Sequence, residues 1–141
     1  MTEPWQSRVS TVLLLIVALT GLGALPAGIG LLAEPSGAGL GMSPGMLAHG
    51  PFHDFAIPGL FLLLVLGLGA AIPVWGLWRR RRWGARAAAA YGAVLLAWIT
   101  AQALIIGIVS PLQPVYGTIG LLIVAFALAA AREARAHVGG A

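Results

Sequence analysis

The chain has 141 residues, 60% of them hydrophobic and 9% charged, with a mean hydropathy of +0.96. Soluble domains carry about 25% charged residues, and a chain this short cannot enclose so much apolar surface within itself, so the composition excludes a soluble globular domain and requires lipid as the remaining cover. The formal charge is +4, every basic Lys/Arg position is an arginine, and cysteine is absent, which excludes disulfides, thiol redox motifs and Cys-ligated metals.

A transmembrane helix needs about 20 mostly apolar residues. The first such run, about 9–32, follows Arg8. Small residues around Ala24 and Ala27 resemble a signal-peptide cleavage region, but the apolar run continues past them, so the segment reads as a first span. Pro26 lies within it and Glu34 at its end, where a carboxylate belongs in the headgroup layer.

The link of about 33–54 is long for a connection between packed helices and suggests a cap or a partner surface. Its EPSGAGLGMSPG portion reads as a flexible loop. It also carries Met42, Met46, His49, His53 and Asp54. Methionine with histidine suits copper(I), and histidine with carboxylate suits zinc. Gly50 and Pro51 break any regular helix between the two histidines, and no third histidine is near. His49 and His53 are therefore weak metal candidates, and no bound metal or other cofactor is expected.

The second span covers about 55–78. Asp54 stands just before it, placed to cap free N–H groups at the positive end of the helix dipole. Pro58 falls in the first turn, and Pro73 lies inside the span. Each interior proline removes one helical hydrogen bond. Near the ends of a membrane helix such a loss is tolerated, and that is the reading adopted for Pro26 and Pro73.

Arg79, Arg80, Arg81, Arg82 and Arg86 fill the next link, flanked by Trp75, Trp78 and Trp83, the pattern of an interfacial aromatic belt. The third span, about 87–109, contains Thr100 and Gln102. Tyr91, Trp98 and Gln102 share one helix face. An amide within a membrane seeks hydrogen bonds. Gln102 fits either a bond between helices, worth about 1 kcal/mol, or a contact to a bound molecule. The fourth span covers about 114–131 and is followed by Arg132, Arg135 and a helical tail that frays.

The continuous apolar runs exclude a membrane β-barrel, whose strands alternate. The fold expected is all-α: one polytopic four-transmembrane-helix bundle over 1–141. Neither the 33–54 link nor the 110–113 link contains lysine or arginine. The positive-inside rule then places both termini and the arginine link in the cytoplasm (N-in/C-in), in the inner (plasma) membrane if the source is bacterial. Topology alone accounts for the arginines, although such a run also suits anionic headgroups. Nucleic acid is not an expected partner.

Helices in lipid associate through small residues that permit close approach. Ala24 and Gly28, Gly67 and Ala71, then Ala93, Ala97 and Ala101 with Ala88 and Gly92 before them, and finally Ala125 and Ala129 supply a seam on each span. These seams fit bundle packing or contact with a second copy or another membrane protein.

Two segments, PFHDFAIPG at 51–59 and WITAQALIIGIVSPLQPVYG at 98–117, resemble motifs of a group of small bacterial four-helix membrane proteins with no assigned activity. The group's pattern is F-x-D-[YF]-x-I-P-G leading into the second span, with W-I-x-x-Q and S-x-L-Q-P later. The matching residues are Phe52, Asp54, Phe55, Ile57, Pro58 and Gly59, then Trp98, Ile99, Gln102, Ser110, Leu112, Gln113 and Pro114. The resemblance covers roughly the last two-thirds of the chain, omits the Met/His portion of the outer link, and implies a fold and a focal region but no reaction.

From these positions comes the expectation of an outward-facing polar pocket under the 33–54 link, formed by Asp54, Gln102, Ser110 and Gln113 with Trp98 and Tyr116. No nucleophile–base pair or phosphate-binding glycine loop is present. The expected function is therefore a non-enzymatic packing or accessory component. The alternatives are an oligomeric small-molecule or ion transporter, which would lack the midplane charge such sites usually have, and an enzyme or metal protein using the outer link.

Overall fold

A computed structural model describes residues 4–43, 45, 50–108 and 111–139, and the side chains of these except 4–7, 112 and 133–139. Four helices traverse it, and among the described residues there are no strands. The first runs Pro4–Ala33, the second occupies Ala56–Trp78, the third Gly84–Ile106 and the fourth Leu112–Gly139. All four are long and apolar enough to cross a membrane. The surface carries the apolar load: Leu19, Trp78 and Leu104 are 69%, 72% and 81% exposed, an inside-out distribution that fits lipid as solvent. The chain is a multi-pass membrane protein.

The third helix lies about three residues earlier than its apolar run suggests. Gly84 opens it, and Gly107 ends it with φ 75°, a backbone conformation open to glycine. Past the fourth span, the chain that was expected to fray continues as helix to Gly139.

The first helix packs along the second and also meets the fourth. The third and fourth share a long contact, and the last turns of the second meet the third. Glycine sets these distances. A Cβ on Gly28 would lie 2.6 Å from the Leu63 nitrogen, and one on Gly59 would lie 2.7 Å from the Leu31 Cβ. Gly92 and Gly120 bring the third and fourth helices together in the same way. Gly76 and Gly84 let the second and third touch backbone to backbone.

The seams therefore differ from those expected. Gly28, Gly67, Ala88 and Gly92 are buried in contacts between helices, but Ala71, Ala93, Ala97, Ala125 and Ala129 face outward. The third helix is alanine-rich all round, so the presence of small residues does not identify its contact face. The core formed is Leu13, Val17, Leu66, Leu77, Ala88, Tyr91, Leu95, Ile123 and Ala127 with their neighbours.

The interior prolines of the first and second helices act differently. The first helix continues through Pro26 without interruption. The second departs from α geometry before Pro73: Leu62–Gly67 is π-helical and Leu68–Ala70 is 3₁₀. Pro73 offers no N–H to the Gly69 carbonyl and crowds it. Gly67, at φ −81° and ψ −80°, takes up the change of pitch. Pro73 is thus more than a tolerated residue near a span end.

Candidate functional site

At the end of the bundle opposite the arginine turn, the first link folds back as a cap. Gly37 and Gly41 take positive φ and turn the chain, with Met42 N–H donating to the Gly37 carbonyl at 2.8 Å. Phe55 N–H reaches the Pro35 carbonyl at 2.8 Å, closing the link on itself. Leu31 and Phe55 are buried there, packed by Met42, Phe52, Leu62, Ile105 and Ile106. A Cβ on Gly50 would meet Ile105 at 2.6 Å, so the link lies close over the end of the third helix.

Beneath and beside this cap stand most of the residues singled out from the sequence. Asp54 is exposed, and its Oδ1 accepts the Ala56 N–H at 3.0 Å. Phe55 holds the N-cap position itself, and Asp54, one residue ahead of it, accepts the first N–H of the second helix from outside. His53 is exposed as well. Gln113 is buried, and its Nε2 donates to the Gly107 carbonyl at 3.1 Å. That bond ties the first turn of the fourth helix to the glycine that terminates the third.

Gln102 is half-buried one turn below Ile105. Trp98, one further turn down, stacks on Phe61 of the second helix with ring centroids 4.5 Å apart and planes 18° from parallel. Tyr116 is half-buried and turns its hydroxyl toward the first helix, where a Cβ on Gly23 would lie 3.3 Å from it. No hydrogen bond among the described residues joins Asp54 to Gln102. The carboxylate stands at the cap's rim, and Gln113, Trp98 and Tyr116 occupy separate junctions between helices. Ser110, His49 and Met46 lie outside the described residues. Among those described, no three His, Asp or Glu residues gather.

Other polar groups in the spans satisfy themselves locally. Thr20, Thr100 and Thr118 each donate to the carbonyl four residues back, at 2.7, 2.8 and 2.9 Å, the usual refuge of a hydroxyl in lipid. Two features escaped the sequence reading. Tyr91 was placed on the face of Trp98 and Gln102, but its partner is the Leu66 carbonyl at 2.6 Å, within the stretch where the second helix changes pitch. The paired glycines Gly67 and Gly69 ahead of Pro73 were the available signal. The second feature is the conformation of the arginine turn. Arg80 has φ 52°, the left-handed region, and stands alone among the described non-glycine residues in having positive φ.

Comparison with family models, curated proteins and solved structures finds no match for the chain, so the motif resemblance rests on its own residues.

Proposed function

We propose that the protein is a non-enzymatic packing component of a bacterial inner (plasma) membrane, with both termini and the arginine turn in the cytoplasm and the 34–55 cap outside. It acts by presenting a lipid-facing ridge to a second copy of itself or to another membrane protein. The observation that carries this reading is the outward position of Ala93 and Ala97 on the third helix, and of Ala125 and Ala129 on the fourth. The bundle closes on its glycines, so these alanines are left for a further partner. Two helices with exposed small residues at four-residue spacing can approach a partner closely, and close approach is what drives association in lipid. The capped outer end, with Asp54 exposed at its rim and Gln102 half-buried beneath it, is on this reading secondary to the packing role.

The natural absence of cysteine makes the test direct. With Ala97→Cys in native membranes, oxidation is expected to give a cross-linked dimer, whereas Leu19→Cys, equally lipid-facing, gives none. A dimer band equally strong at both positions, or at neither, contradicts packing through this ridge to a second copy. Capture of a different membrane protein by Ala97→Cys alone would transfer the role to that partner.

A further inference from the structure

We infer that the arginine turn is a built binding site for the phosphates of an anionic lipid headgroup, favouring lipids that carry two phosphates over those that carry one. A hollow of about 560 Å³ opens there, lined by Arg79, Arg80, Arg81, Arg82 and Trp83. All four guanidinium groups are exposed. The acidic residues with described side chains, Glu34 and Asp54, are at the far end of the bundle, so no described carboxylate neutralises the turn.

The backbone of the turn is fixed. Arg80 N–H donates to the Leu77 carbonyl at 3.2 Å, and Arg81 N–H to the Gly76 carbonyl at 2.8 Å. These are the two bonds of a Schellman helix end, with Arg80 at the left-handed position that glycine ordinarily fills. Gly84 N–H returns to the Arg81 carbonyl at 3.1 Å, and Gly76 touches Gly84. The arginines are therefore displayed from a rigid turn rather than a loose loop. A side chain at that left-handed position carries a steric cost that glycine would not, and what it provides is a fourth guanidinium over the hollow.

Positive charge alone would satisfy topology. Guanidinium forks do more, because each can grip phosphate oxygens bidentately, and four of them match two phosphates. The lipid source follows from the surroundings. The Arg79 guanidinium lies 4.7 Å from the centroid of the Trp75 ring, and Trp75, Trp78 and Trp83 are exposed at the same level. Indole rings at a helix end belong in the headgroup layer, which puts the hollow where lipid phosphates are.

The test is native mass spectrometry of the delipidated protein in detergent, titrated in parallel with cardiolipin, phosphatidylglycerol and phosphatidylcholine. A second arm adds inorganic diphosphate. The key variant replaces Arg79, Arg80, Arg81 and Arg82 together with lysine, which keeps the charge and hence the topology but removes the forks. Cardiolipin is expected to be retained about tenfold better than phosphatidylglycerol, with phosphatidylcholine weakest, and the lysine variant is expected to lose about tenfold in cardiolipin affinity, the scale of a lost bidentate contact. Arg80→Gly should raise the thermal midpoint while lowering cardiolipin retention, a divergence that a purely structural turn would not give. Equal retention of all three lipids, or a lysine variant that binds as well as wild type, overturns the inference. Diphosphate binding as tightly as cardiolipin overturns the lipid source and assigns the hollow to a soluble phosphate.

Discussion

The Tyr91 hydroxyl donates to the backbone carbonyl of Leu66, 2.6 Å away and inside the bundle. The second helix is π-helical through Gly67 and then tightens to 3₁₀. The Leu68 N–H is shared between the Leu63 and Leu64 carbonyls. Carbonyls at such a junction lose their regular partners, and in lipid an orphan cannot turn to water. Tyr91 offers a donor at this junction and spans the gap between the third helix and the second. Phe61 and Trp98 fill the same gap nearer the cap.

Tyr91→Phe keeps the ring and removes the bond. It should lower stability by about 1 kcal/mol, the usual worth of a hydrogen bond between membrane helices. Unfolding in bicelles measures the loss, and amide exchange should rise at Gly67–Ala70. Unchanged exchange there would mean that the π stretch holds itself.

Gly28→Ala should cost more than its size suggests. The new Cβ would lie 2.6 Å from the Leu63 nitrogen and 2.8 Å from the Gly59 carbonyl oxygen. Both are backbone atoms, so the first and second helices must separate, at roughly 1–3 kcal/mol. Gly30→Ala, two residues along the same helix, meets only Leu40 at 3.9 Å and should be neutral or slightly stabilising in the same unfolding measurement. Equal losses at both sites would contradict a close-packed glycine contact.

The four crossings were legible in the sequence because continuous apolar runs in lipid have one outcome. Their ends were less so: the third helix begins at Gly84 and stops at Gly107, and apolarity does not register what a glycine backbone decides. The contact faces were harder. Gly92 and Ala93 are adjacent and similarly small, yet one is buried against Gly120 and the other faces outward, which depends on rotation of the whole helix. At the candidate site, Asp54 was readable as an acceptor for a free N–H at the start of the second span, although Phe55 takes the N-cap position. Gln113 was readable as a polar residue to be accounted for, but its acceptor, the Gly107 carbonyl, is a backbone atom without a residue-type signature.

Asp54→Ala should lower stability by about 1 kcal/mol through loss of the bond to the Ala56 N–H. Asp54→Asn should retain it, since asparagine caps as well as aspartate. Thermal unfolding of the three proteins at one pH checks this. Destabilisation by the Asn variant equal to that of Ala would show that the charge, rather than the capping bond, is what the bundle needs.

The most direct test of the account is accessibility labelling of single cysteines, which the cysteine-free chain permits without background. Ser43→Cys in the cap and Arg82→Cys in the arginine turn are exposed to a membrane-impermeant maleimide, first on intact cells and then after permeabilisation. The account predicts that position 43 labels on intact cells and position 82 only after permeabilisation. Labelling of position 82 from outside, with position 43 protected, would contradict it.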